Sequence, residues 1–256
     1  YDQPIIDEAA LALEKAEAVK VYEDTSKGEA PWEIVSCSAE PAAPGYATPH
    51  SLTEAEVREV VLAFGEAARR CNDAGFEVLD VHAAHGYLIH SFLSPISNSR
   101  SDTYGGNRSN RMRFALEIAE ALRNNWPSDK PILFRLSCID RFEGGLEIED
   151  TIELAKELKK RGIDAIDCSS GGIKGPNSLF SLATKSPPTP GYQVPLSEAV
   201  RHGAEMPTMA VGMIMDPPHA EQIISDGQAD LIALGREALF NPHWALHAAR
   251  LLNEGQ

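Results

Sequence analysis

From Thr53 onward the chain alternates strand-like and helix-like segments, and that rhythm leaves few folds open to it. Thr53-Glu-Ala-Glu56 has the form of a capping box, in which a hydroxyl and a carboxylate satisfy the unpaired N–H groups of a helix start. The helix it opens should run to about Ala74 and stop at Gly75. Phe76-Glu-Val-Leu-Asp-Val-His82 follows as a strand, then a helix over residues 110–125 with Pro127 just beyond it. Strands over 131–137 and 163–168 flank a helix over 149–161 that stops at Gly162. The pattern repeats with a helix over 196–203, a strand over 208–212, a helix over 217–226, a strand over 230–235 and a helical tail after Pro242. Sparsely charged strands between amphipathic helices imply a parallel sheet with helical crossovers.

Two architectures satisfy this pattern: a (β/α)8 TIM barrel and an open doubly wound sheet. No GxGxxG turn follows the first strand, which weakens the dinucleotide-binding form of the open sheet. The barrel reading meets a count: five βα units end near His82, Arg135, Cys168, Gly212 and Gly235, where a closed barrel has eight. Residues 1–52 read as an Ala/Glu/Lys-rich helix over about 5–20 and then a Pro-rich loop, with no strand. The expectation is one partial barrel domain over residues 1–256, with about three βα units outside this chain.

Composition narrows the function. A formal charge of -15 argues against a general binder of phosphate backbones. Cys37, Cys71, Cys138 and Cys168 form no CxxC pair, which fits reduced thiols in the cytoplasm better than a disulfide framework. No apolar run is long enough to span a bilayer, so no membrane partner is expected.

The densest chemistry lies in Asp80-Val-His-Ala-Ala-His-Gly-Tyr87, where a strand end and the next loop carry His82, His85 and Tyr87. Two imidazole N–H groups could grip a carbonyl oxygen while the phenol delivers a proton to a neighbouring carbon. The same pair could be zinc ligands, although no HExxH or Cys pair supplies a third, or they could simply be structural. In Ile-Leu-Phe-Arg-Leu, Arg135 is costly to bury unless paired. It reads either as an internal salt bridge or as a fixed charge facing an anionic cofactor. Asp167-Cys-Ser-Ser-Gly-Gly172 offers small residues around which a ligand can approach backbone. Gly212, Gly235 and Arg236, after the last two strands, have the form of a phosphate site built from helix N-terminal amides and a guanidinium.

The run from His82 through Phe-Leu-Ser-Pro-Ile-Ser-Asn-Ser-Arg-Ser-Asp-Thr-Tyr-Gly-Gly to Asn110-Arg111 and Arg113-Phe114 resembles the Old Yellow Enzyme family. Cys168-Ser-Ser-Gly, Pro190-Gly-Tyr-Gln193, Val211-Gly-Met and Gly235-Arg-Glu continue the resemblance in order, over about residues 30–250. The His/His pair is similar to the thermophilic-like subclass. The resemblance implies an FMN-dependent (β/α)8 barrel that passes hydride from NADPH or NADH to the C=C bond of an activated alkene, its small-molecule partner. It implies that His82 and His85 bind the substrate oxygen and that Tyr87 is the proton donor. Arg135 would sit at the flavin's N1/O2 edge, with Ser170, Gly212, Gly235 and Arg236 around the FMN phosphate. The stretch over 98–114 carries Arg100, Asp102, Tyr104, Asn110 and Arg111, read as a loop and helix start pinned by charge pairs.

The family's first three strands and its C-terminal extension are expected to lie outside this chain. Cys37, in a Pro-rich loop, is no stand-in for the family's flavin-tuning cysteine. Three alternatives remain: a dienoyl-CoA reductase relative with an iron–sulfur cluster, a metal-dependent hydrolase using His82 and His85, and a non-catalytic barrel fragment. Assembly into a homo-oligomer stays open.

Overall fold

The computed structural model describes residues 33–43, 46–172 and 189–253. The helix expected over 5–20 lies outside the described residues. A two-residue parallel ladder joins β1 (Val35–Ser36) to β2 (His50–Ser51), so the region expected to be only helix and loop contributes a small sheet of its own. Next comes α1 (Glu54–Asp73), with the capping box formed as its sequence implies: Thr53 Oγ1 accepts from Glu56 N–H and the Glu56 carboxylate from Thr53 N–H.

The main sheet has five strands: β3 (Leu79–Ala83), β4 (Ile132–Ser137), β5 (Ala165–Ser169), β6 (Thr208–Ala210) and β7 (Leu231–Ile232). All pairings are parallel, and the strands lie side by side in chain order. A doubly wound sheet would reverse its order at a switch point. Unbroken sequential order is the progression of a barrel wall.

Between strands run α2 (Leu88–Leu93), α3 (Arg108–Asn125), α4 (Ile148–Lys160), α5 (Val194–Ala204) and α6 (Pro217–Ser225), followed by α7 (Arg236–Phe240) and α8 (Trp244–Asn253). Side chains alternate faces along a strand. The row Val81, Phe134 and Ile166 points into the helix layer, where Phe92, Phe114, Ile118 and Leu158 close a core around it. The row one residue on is His82, Arg135, Asp167, Met209 and Leu231, and it faces the other way. Hydrophobic burial therefore fixes which residues face the helices and, by parity, which polar side chains remain for the other face.

The run over 98–114 acts as structural pinning, as expected. Arg100 pairs with Asp102, donates to the carbonyls of Cys37 and Leu52, and lies 5.5 Å from the centre of the Phe92 ring. Arg111 donates to the carbonyls of Leu93 and Gly106, and Tyr104 donates to Glu117.

Candidate active site

At the C-terminal edge of the sheet, β3 runs into a loop that must turn sharply to start α2. His85 and Gly86 do this in the left-handed region, at φ 60° and 81°. For His85 that conformation costs on the order of 1–2 kcal/mol, so the loop needs fixed partners. His85 N–H donates to Ser137 Oγ at 2.9 Å, and Gly86 N–H donates to His90 Nδ1 at 2.9 Å. The turn brings three rings together: the His82 centroid lies 5.2 Å from that of His85 and 4.9 Å from that of Tyr87.

A cavity of about 600 Å³ opens beside them. It is lined by His85, Arg135, Ser170, Gly212, Gly235 and Arg236, all singled out in the sequence. His82 and Tyr87 do not line it; they adjoin it through their ring contacts with each other and with His85. Phe240 and Met213 add apolar wall.

Burial holds His85 down to about 4, with the Arg135 charge adding to the effect, and the same two causes lower His82. Both imidazoles are therefore neutral near pH 7, each with one N–H to donate and one nitrogen to accept. His85 Nε2 lies 2.7 Å from Ser169 Oγ, which leaves Nδ1 for a ligand.

Arg135 forms the internal salt bridge and also lines the cavity. Its Nε lies 3.2 Å from Asp167 Oδ2, an ion pair between neighbouring strands in register. Its side chain is 34% exposed and lines the cavity, while Asp167 is 2% exposed. Burial of Asp167 outweighs the attraction of Arg135, and with Asp80 nearby its carboxyl is pushed up to about 6.

Ser170 is held in a polar chain. Arg141 Nε donates to its Oγ at 2.9 Å, and Ser170 donates to Gln193 Oε1 at 2.6 Å. Gln193 Nε2 in turn donates to the Val211 carbonyl at 3.2 Å. The Gly171 N–H is spent on the Ile139 carbonyl, so the small-residue loop offers fewer free amides than its composition suggests. Gly212 sits at φ 130°, where a Cβ would meet the Tyr192 ring at 3.1 Å and Gln193 Nε2 at 3.3 Å. Glycine adopts that conformation without strain. Gly235 caps α7, a helix of five residues, so the expected helix N-terminus is one short turn, with Arg236 its first residue.

Arg141, Tyr192 and Gln193 were not identified as site residues from the sequence. The Gly-Tyr-Gln run was visible, but Arg141 sits in a polar loop and is marked only by its fold: it adopts φ 56° and stacks 5.5 Å from the Tyr192 ring centre. Also missed was a fully buried pair beneath the loop, His90 Nε2 and Asp140 Oδ1, 2.9 Å apart. Among the described residues no three His, Cys, Asp or Glu side chains converge as a metal site requires, so the fold adds no ligand to the hydrolase reading. Nor is any helix among them long and apolar enough to cross a membrane.

Residues 11–254 match the model of the NADH:flavin oxidoreductase / NADH oxidase family. An NADPH dehydrogenase of Clostridium acetobutylicum is 45% identical over 249 residues, covering 95% of this chain and 68% of that protein. Among solved structures, a 2-naphthoyl-CoA reductase complexed with 2-naphthoyl-CoA superposes with a TM-score of 0.76 at 27% identity, over 89% of this chain and 34% of its own. The Old Yellow Enzyme homologue from Zymomonas mobilis superposes at 0.68 with 25% identity, over 88% of this chain and 62% of its own. The chain thus spans about two thirds of that dehydrogenase and less of these two structures. The sequential parallel strands, the His/His/Tyr cluster beside an arginine-lined cavity and these likenesses agree: the chain belongs to the NADH:flavin oxidoreductase / NADH oxidase family, the Old Yellow Enzyme family of FMN-dependent TIM-barrel oxidoreductases.

Proposed function

We propose that this chain carries the substrate-activating and cofactor-facing part of an FMN-dependent ene-reductase. The observation that supports it best is the meeting of His82, His85 and Tyr87 at the edge of a cavity that also receives Arg135 and Arg236. The cavity suits FMN in size and in its donor set. Its volume lies within the usual range for small-molecule sites, two guanidiniums suit an anionic ring edge and a phosphate, and Gly212 leaves space where a Cβ would crowd Tyr192 and Gln193. Arg135 would face the ring edge, with Ser170, Gly212, Gly235 and Arg236 towards the phosphate. Bound FMN, reduced by NADPH or NADH, would supply the hydride for the alkene carbon β to the carbonyl.

The chain's own residues do the rest. His82 and His85, both neutral, donate N–H groups to the substrate oxygen and stabilise the negative charge that gathers there, a fixed-donor effect that needs no reorganisation during reaction. Tyr87, 54% exposed beside them, gives its phenolic proton to the α-carbon. Four free cysteines, three of them buried, support residence in the cytoplasm.

The test uses the full chain with FMN, anaerobic NADPH and cyclohexenone. Tyr87→Phe should slow enone reduction by about 10²–10⁴-fold while the rate at which NADPH bleaches the flavin holds. An unchanged enone rate in Tyr87→Phe would remove the phenol from the reaction.

A further inference from the structure

The loop carrying His85 and Tyr87 stands on a buried polar pair that the proposed chemistry does not use. His90 and Asp140 are both fully buried, in α2 and in the loop after β4. His90 Nδ1 accepts from Gly86 N–H, so the ring's proton is on Nε2, which faces Asp140 Oδ1 at 2.9 Å. Asp140 Oδ2 accepts from Ser94 Oγ at 2.6 Å and from Leu146 N–H at 2.8 Å, while Oδ1 and His90 Nε2 are close without a formed hydrogen bond. These bonds, with the His90 contact, hold Asp140 below the ordinary carboxylate range despite its burial. The loop after β5 closes over the pair: a Cβ on Gly172 would lie 2.6 Å from Asp140 Oδ1 and 3.1 Å from His90 Cε1. Asp140 thus joins the segments that follow β3 and β4, with the loop after β5 packed over it.

Packing alone would be served as well by an apolar side chain. What an apolar residue could not do is accept the Gly86 amide, the second consecutive residue in the left-handed turn. We propose that His90, seated against Asp140, is a positioning residue that holds the His85–Gly86 turn and thereby sets where the His85 imidazole stands in the cavity and the Tyr87 phenol beside it. This role rests on the ene-reductase reading for its purpose, but not for its geometry.

The experiment needs neither flavin nor alkene. In the uniformly ¹⁵N-labelled full chain, a through-hydrogen-bond coupling should link the Gly86 amide nitrogen to His90 Nδ1; its absence overturns the proposal without any substitution. Two variants then divide the function of the ring. In His90→Asn the side-chain oxygen can still accept from Gly86 but no longer reaches Asp140, whereas in His90→Gln the amide reaches Asp140 and gives up Gly86. Both remove the same imidazole, so its loss cancels in the comparison. His85, which burial places at about 4, should titrate near that value in His90→Asn and rise by about one unit or more towards 6.5 in His90→Gln as the turn loosens and water reaches the ring. Equal titration of His85 in the two variants, shifted or not, would show a structural filler rather than a positioning residue. If enone reduction fails while these signals hold, the functional reading falls and the turn's support stands.

Discussion

Replacing Asp167 by asparagine should stabilise this protein at pH 8, although it breaks an ion pair. Asp167 is 2% exposed, and its carboxyl is raised from an ordinary 3.8 to about 6 because burial costs its charge more than Arg135 returns. A folded-state value above the unfolded one means that the native state binds the proton more tightly. The stability this contributes is complete below about 3.8 and is lost as pH rises through about 6. At ~1.4 kcal/mol per pH unit, the interval amounts to about 3 kcal/mol. Asparagine keeps the shape and never ionises. Urea unfolding of the parent and Asp167→Asn at pH 4 and pH 8 should therefore show a small difference at the acid end and a variant up to about 3 kcal/mol more stable at the alkaline end, or several degrees in Tm. The comparison isolates one carboxyl from the many others in an acidic chain. A variant less stable than the parent at pH 8, with the same pH slope, would refute the reasoning: Arg135 would then more than offset the desolvation of its partner.

Two further substitutions test the frame and the cavity. Thr53→Ala deletes the acceptor for the Glu56 amide at the start of α1 and should cost about 1 kcal/mol, read as a lower midpoint in urea with the slope unchanged. Gly212→Ala places a Cβ against Tyr192 and Gln193 at φ 130°, with a strain of about 1–3 kcal/mol; FMN titration should show binding at least about tenfold weaker, whereas native-like affinity would place the cofactor elsewhere.

Much of this fold was legible because its strands carry few charges and its helices stop at glycines. The order of βα units, the Thr53 capping box and the crowding of His82, His85 and Tyr87 follow from local pattern alone. Strand ends did not, because a ladder needs a partner on the next strand. Phe76 and Val78 have strand-like side chains but lie before the first rung, Leu79 opposite Ile132, and are 59% and 48% exposed. Likewise the last strand shrinks to Leu231–Ile232 because β6 offers only three residues to pair with. The segment Leu88–Leu93 was too short and too uniformly buried to show helical periodicity. Least legible was His90 with Asp140, since nothing local marks a histidine whose partner comes from the loop after another strand. The site's general chemistry was visible in the sequence, whereas its supports required the tertiary structure.

The rung His82, Arg135, Asp167 has a directional effect. Adjacent strands lie ~4.8 Å apart, so the backbone ladder sets a neutral imidazole, a cation and a buried carboxylate at even intervals, and of the three only Arg135 lines the cavity. Above pH 6 the charge along that rung changes from positive at Arg135 to negative at Asp167, and Arg236 brings a second cation to the cavity. A flat ligand with one electron-rich edge therefore meets a compass rather than a uniform charge: the edge is drawn to Arg135, whose carboxylate partner lies buried out of reach. The register of the parallel sheet, set by its apolar pattern and held by backbone hydrogen bonds, thus decides which charge the cavity presents.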